Sequence, residues 1–392
     1  MFWCVFDGLL SYITPIVLTE AGFSETMMGI IIGTSSIAGA VFDFFLCRVF
    51  KKASFKRIFL IMFIVCAIYP LILWQAKSFW VFIIAMALWG IYYDLFNFGS
   101  LDYLGNNTNK QEHASSSGVL QVFRSLGYLL APIFAGFVIG EAVGWESFAL
   151  SWVFLLIAAV FYIGLVRMTK EKKRETECQE LVCDNLQIKK EIRLWKKTTS
   201  LLKPVLILSV LISTYDAFFW TIGPLFAESF KGMENFQGLF LTAYELPALI
   251  VGWFIGKATV KLGKKRTAFA AFGIGSVILA ILPLISSPFI AIVTIFFASL
   301  FLSMAAPAIN GTYADYVEEA PKAEKEIEAV SDFSFNIGYI VGPIAAGVLA
   351  DNFSNSIAFS ILSVFGFIIV IILFKITPRK INVSPLDKMV KQ

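Results

Sequence analysis

Two stretches of the chain carry the same pattern of small and kinked positions, and this internal repeat constrains the fold more than any other feature. GVLQVFRSLGYLLAPIFAG runs from Gly118 to Gly136, and SFNIGYIVGPIAAG runs from Ser334 to Gly347. Sliding one onto the other by 211 positions superposes Gly127 on Gly338, Tyr128 on Tyr339, Pro132 on Pro343, Ile133 on Ile344, Ala135 on Ala346 and Gly136 on Gly347. Each copy is apolar and too rich in Gly and Pro for a soluble helix. That pattern belongs to helices packed closely in lipid, where small residues let backbones approach and Pro bends the axis.

The repeat extends through the chain. CVFDGLLSYITPIV (Cys4 to Val17) returns 209 positions later as TYDAFFWTIGPLF (Thr214 to Phe226), which puts Asp7 on Asp216, Ile13 on Ile222, Pro15 on Pro224 and, further on, Gly29 on Gly238. At an offset of 213, Asn97, Asp102 and Tyr103 fall on Asn310, Asp315 and Tyr316, and Arg48, Lys51 and Lys52 fall on Lys261, Lys264 and Lys265. Four segments in one order at nearly one offset make the chain a tandem duplication, as in transporters built from parallel repeats with a site near the midplane between them.

Composition agrees. Of 392 residues, 58% are hydrophobic and only 15% charged, which excludes an ordinary soluble globule. The apolar runs are interrupted by polar loops, and at roughly 20 residues per crossing they give twelve spans: 1–19, 27–50, 57–75, 79–103, 116–140, 146–167, 204–228, 236–257, 267–286, 288–309, 328–350 and 355–376. The fold class is therefore all-α and membrane-embedded, with two pseudo-symmetric six-helix bundles. Their boundaries fall at 1–168 and 204–377, separated by a basic linker at 169–203 and followed by a tail at 378–392. With the N-terminus in the cytoplasm, all of the 32 Lys and Arg except Lys77, Lys231 and Arg124 lie on the inner side. That asymmetry orients the chain with both ends cytoplasmic, and the plasma membrane is the expected location. The first span is short of its repeat partner, as though the chain begins inside it; a signal peptide is disfavoured because the segment lacks a basic lead-in and has a repeat partner.

In the linker, Ile188, Ile192 and Trp195 fall on one helical face among Lys189, Lys190, Arg193, Lys196 and Lys197, as in a helix lying on the inner leaflet, or else the segment is a charged tether. The net charge of +4 resides in such loops and does not imply nucleic acid. The five Cys are scattered and His113 is the one histidine, so neither a disulfide framework nor a metal cluster is expected, and no cofactor. Gly252 to Ala258 lacks the hydroxyl of a phosphate-binding loop, so energy is expected from an ion or substrate gradient rather than from ATP.

With these motifs in place the sequence resembles the major facilitator superfamily over essentially its whole length. The fifth span is similar to the signature G-x8-G-x3-G-P-x2-G-G of the drug:proton antiporter branch, read here as Gly118, Gly127, Ala131, Pro132, Ala135, Gly136, with two Gly replaced by Ala. The eleventh keeps Gly338, Gly342, Pro343, Ala346 and Gly347. The family's loop after span two, G-x3-D-R-x-G-R-K, survives in its basic residues Arg48, Lys51 and Lys52, while its Gly and Asp are lost. Asp43 stands one turn earlier on the same face, in place to substitute for the acid. The branch's fourth-span arginine is replaced by Met86. The resemblance implies alternating access, with the basic loop and the Gly–Pro helices acting in gating and helix packing.

Charges inside spans are the candidate site. An ionised side chain at the bilayer centre costs about 2.5–3.5 kcal/mol, so it needs a partner, a wet cavity or a function. Asp7, Asp94, Arg124, Asp216 and Glu245 lie well inside their spans. Asp94 and Arg124, on adjacent spans, are expected to pair. Asp7 and Asp216 have no basic residue within their own spans, so they are expected to meet water, a cation or a proton. Glu245 lies at a depth like that of Asp216 and is expected to share a proton with it. Tyr12, Tyr215, Phe219, Trp220 and Tyr244 beside these acids offer rings to a flat cation, although lipid-facing packing is the commoner use of an aromatic in such a chain. Asp102, Asp315 and Asp332, near helix ends, read as caps or gate contacts. The expected function is proton-coupled export of an amphipathic or cationic small molecule. The alternatives are proton-coupled import of a sugar, metabolite or peptide-like solute, and a receptor or lipid-handling protein on the same scaffold. The expected partners are the small-molecule substrate, protons and the lipid bilayer, the chain being a monomer.

Overall fold

The computed structural model describes residues 1–49, 54–107, 113–139, 142–169, 185–230, 232, 236–252, 254–378 and 380–390. They are all-α, with no strand among the described residues. The helices are α1 (Phe2–Glu20), α2 (Glu25–Val49), α3 (Phe55–Gln75), α4 (Phe79–Asn107), α5 (His113–Val138), α6 (Trp145–Met168), α7 (Asn185–Glu228), α8 (Leu239–Val251), α9 (Ile255–Leu262), α10 (Lys264–Ala280), α11 (Pro288–Glu319), α12 (Glu324–Asn352), α13 (Asn355–Ile376) and α14 (Ser384–Val390). Among the described residues, eleven helices are long and apolar enough to cross a membrane. The count reaches twelve when α8 and α9, which meet at 67°, form one broken span. Large apolar residues such as Leu60, Ile64, Trp80, Leu156, Phe161 and Phe365 stand exposed, as helices solvated by lipid require.

Two compact units form. The first contains residues 1–179 with 219–245 and 343–352; the second contains 180–218, 246–342 and 353–392. In the first, α1 is the enclosed helix, packed on α5 and α6, while α4 packs on α2 and α3. The α1–α5 seam closes because Gly127 has no side chain: a Cβ there would lie 2.5 Å from Cys4 Cβ and 2.7 Å from the Met1 carbonyl. One turn on, a Cβ on Gly8 would lie 2.6 Å from that of Ala131. In the second unit Gly338 does the same on α7, where a Cβ would lie 2.5 Å from the Val210 carbonyl and clash with Ser213 Oγ. Gly342 there closes on Ala217 at 2.7 Å. These contacts pair repeat-equivalent residues, so the seam was built once and duplicated.

The first unit also shows why compactness does not follow the halves of the sequence. A Cβ on Gly29 of α2 would run into the Pro343 carbonyl, one on Gly347 into the Glu25 carbonyl, and one on Gly238 into the Pro132 carbonyl. Gly29 and Gly238 are repeat partners, as are Pro132 and Pro343, so the first and last of these are one contact made in both senses. Asp351 secures the same region, its two carboxylate oxygens accepting from the Glu25 and Thr26 N–H groups at 2.8 Å each, which caps the start of α2.

Two stretches read as loops are helical. The seventh span was expected from 204, but α7 begins at Asn185 and runs 44 residues without a break. The part preceding residue 204 is thus an extension of a spanning helix, neither a separate surface helix nor a tether. Leu194, Thr198 and Leu202 are buried along one side of it. Ile188, Ile192 and the Cys178–Cys183 stretch lie outside the residues whose side chains are described. The tail folds into α14, with Ile381, Val383 and Leu386 buried and Asp387 accepting from the Lys322 N–H at 3.0 Å.

Candidate functional site

Asp7 of α1 is held by donors from two other helices, α4 and α5. Gly127 brings α5 against α1, and the next residue, Tyr128, donates its hydroxyl to Asp7 Oδ2 at 2.8 Å. Trp89 and Tyr92, three apart on one face of α4, donate to Oδ1 from Nε1 at 3.0 Å and from the hydroxyl at 2.7 Å. The carboxylate is 1% exposed. Three neutral donors thus converge on its two oxygens. This corrects the expectation that Asp7 meets water or a cation, which counted only charged residues as partners. Tyr12, also expected to offer its ring to a cation, is buried inside the same helix packing.

Arg124 lies one turn before Tyr128 on α5. Its Nη2 donates to the Tyr93 hydroxyl at 3.2 Å, and the guanidinium sits over the rings of Phe96 at 5.2 Å and Tyr93 at 5.9 Å. Among the described residues no carboxylate stands within ion-pair distance of it. The expected Asp94–Arg124 pair does not form. Successive helical residues point about 100° apart, so Tyr93 facing α5 turns Asp94 toward α2. There Asp94 Oδ2 fills the space over Gly39, at 2.5 Å from where a Cβ would be.

The second unit repeats the central contact in a different setting. Tyr339 donates to Asp216 Oδ2 at 2.8 Å, and both residues are the repeat partners of Tyr128 and Asp7. At the offset of 213, however, Trp89 and Tyr92 become Leu302 and Ala305, which carry no donor, and Arg124 becomes Phe335 at 211. Tyr339 is 38% exposed and Asp216 is half-buried.

The remaining candidates divide between the units. Trp220 meets Tyr128 edge-on with ring centroids 6.0 Å apart, which places it in the outer layer of the Asp7 cluster. Tyr244 stacks on Phe219 at 4.0 Å. Glu245, half-buried on α8, ends the stretch 219–245 of the first unit, whereas Asp216 belongs to the second. Tyr215 is corrected to a packing residue: it is 2% exposed, its hydroxyl donates to the Leu362 carbonyl at 3.0 Å and meets Ser276 Oγ at 3.1 Å, and its ring packs on Phe272. Of the loop candidates, Asp43 is exposed near the end of α2, while the Arg48 side chain, Lys51 and Lys52 lie outside the described residues. Asp102 accepts from the Phe55 N–H at 2.8 Å, capping α3, and its partner Asp315 forms an ion pair with Lys264 at the start of α10.

Comparison with known proteins follows the fold. The Major Facilitator Superfamily model matches residues 1–325 and 205–389. Comparison with curated protein sequences finds no match. Among solved structures, the nucleoside transporter NupG is similar with a TM-score of 0.74 and 13% identity, covering 95% of this chain and 96% of its own. The peptide transporter POT in complex with sulfate is similar with a TM-score of 0.72 and 12% identity, over 98% of this chain and 94% of its own. At such identity the likeness is one of fold.

Proposed function

Because the chain belongs to the Major Facilitator Superfamily and is a multi-pass membrane transporter, we propose that it couples proton movement to the transport of a small polar solute bearing a carboxylate or similar oxygen acceptor. The observation that carries this reading is the setting of Arg124. It is a guanidinium well inside a membrane span, half-buried, and among the described residues it is satisfied by one phenol and two ring faces instead of a carboxylate. A buried cation so placed keeps donors for a bidentate acceptor, and a solute carboxylate supplies the missing charge. Peptide and nucleoside transporters share the fold, and both solute classes offer such oxygens.

In this reading Asp216 carries the proton, with Glu245 as a second carrier. Asp216 is accessible, and protonating it removes the acceptor charge that Tyr339 addresses. Asp7 is a positioning residue that fixes Tyr128, and through it Trp220. The inner side is the one bearing the basic loops, in a plasma membrane, and the chain works as a monomer. Proton-driven export of an amphipathic cation is the second reading, favoured by the accessible Asp216 and by Trp220 and the Tyr244–Phe219 stack. The glycines of α5 lend it no separate support, because Gly127 is occupied in the α1–α5 seam.

Proteoliposomes under an imposed pH gradient test the reading. Carboxylated solutes should provoke proton movement and their methyl esters should not, and Arg124→Gln should abolish the distinction. If esters and amines are carried as well as acids by both proteins, Arg124 does not select the solute.

A further inference from the structure

The extension of α7 ahead of its apolar run has two unlike sides. Leu194, Thr198, Leu202 and Val205 are buried within the second unit, and Trp195 meets Phe333 of α12 at 5.8 Å, which fixes the rotation of the helix. Arg193, Lys196, Lys197 and Ser200 line a shallow open groove of about 410 Å³, and Lys203 stands exposed one turn further on. No Asp or Glu occurs between Arg193 and Lys203. Cations three and four residues apart on one helix repel one another, so the groove holds positive charge that the same stretch of helix does not neutralise.

Its position along the helix is informative. The run from 204 to Glu228 is 25 residues long, the upper end of what crosses the hydrocarbon core, ~25 residues. It puts the edge of the core near Lys203. At ~1.5 Å per residue, Ser200, Lys197 and Lys196 then lie roughly 5–10 Å beyond that edge, the depth of the headgroup layer. Arg193 stands slightly further out.

We propose that this groove binds the phosphate headgroup of an anionic phospholipid from the adjoining leaflet. Charge complementarity selects the class of ligand: Arg193 offers a planar fork to phosphate oxygens, Lys196 and Lys197 offer point charges, and Ser200 adds a hydroxyl between them. Membrane continuity selects the source. The groove lies on an uninterrupted spanning helix, so a lipid reaches it by lateral diffusion. Binding there clamps α7, whose further course carries Asp216.

Native mass spectrometry of the protein released from nanodiscs of phosphatidylcholine, with or without a minor fraction of phosphatidylglycerol, tests the assignment. The wild type should retain phosphatidylglycerol selectively, less so as salt is raised. The variant Arg193→Gln/Lys196→Gln/Lys197→Gln should lose that retention by roughly tenfold or more. Ser200→Glu, which leaves the buried side of the helix intact, should lose it as well, and thermal melting confirms that each variant is folded. Equal retention by wild type and both variants overturns the proposal. An equal loss in Lys257→Gln/Lys261→Gln on α9 also overturns it, since diffuse surface charge then suffices. Displacement of the lipid by millimolar inorganic phosphate would make the ligand a soluble anion and overturn the lipid source.

Discussion

Asp7 and Asp216 are the same residue of an ancestral repeat, each accepting a hydrogen bond of 2.8 Å from the same tyrosine of that repeat, yet they live in different surroundings. Asp7 is sealed and receives two further donors from α4; at the matching positions the second repeat has Leu302 and Ala305, and its carboxylate keeps access to its surroundings. Duplication preserved the helix seam and the aspartate–tyrosine contact. Divergence occurred in the donors around them, and it left one carboxylate buried and the other half-buried.

The largest effect expected from breaking this comparison is at the sealed member. Asp7→Ala strands three donors, of which Tyr92 is buried and Trp89 and Tyr128 are half-buried, at up to about 1–3 kcal/mol each, so it should lower the melting point of the purified protein sharply. Asp216→Ala removes one half-exposed acceptor and should change it little. Equal destabilisation would show that the two sites are equivalent in the folded protein. Next come the seams. Gly127→Ala and Gly338→Ala should each cost about 1–3 kcal/mol by overpacking, because both meet backbone, whereas Gly118→Ala, which meets nothing within 4 Å, should be neutral in the same melting assay. The smallest effect lies at a contact of one kind made once in each half, although the sequence repeat matches Lys265 with Lys52. Lys56 Nζ donates to the Thr169 carbonyl at 3.0 Å and Lys265 Nζ to the Pro378 carbonyl at 3.1 Å, each at the end of its repeat's last helix. Lys56→Met and Lys265→Met should each cost about 0.3–1 kcal/mol. A marked difference between them would show that the two halves differ here too.

The spans were legible because lipid allows few backbone solutions and the repeat checks each one twice. What escaped reading turned on directions that sequence alone does not supply. The bend between α8 and α9 interrupts one apolar run, and the α7 extension was hidden by its charge, which reads equally as loop and as exposed helix face. In the site, Asp7, Asp216 and their tyrosines were all visible as repeat identities. The contact between them was missed because partners were sought among opposite charges, whereas the donors are a phenol pair and an indole. Trp89 and Tyr92 carried a usable signal, polar-tipped aromatics three apart on a helix in a unit with a buried acid. Adjacent spans suggest a pairing of Arg124 with Asp94. Tyr93 and Asp94, neighbours in sequence, face different helices.

The central claim is a division of labour between the two aspartates, and the measurement that tests it most directly is the ratio of gradient-driven accumulation to substrate exchange in proteoliposomes. Exchange requires the binding site and the conformational cycle but no net proton step, so the ratio isolates coupling from folding and binding. For Asp216→Asn the account predicts that exchange persists while accumulation collapses. For Asp7→Asn, normalised to folded protein, both fall together and the ratio is unchanged. The reverse pattern, a collapsed ratio in Asp7→Asn and a preserved one in Asp216→Asn, would contradict it.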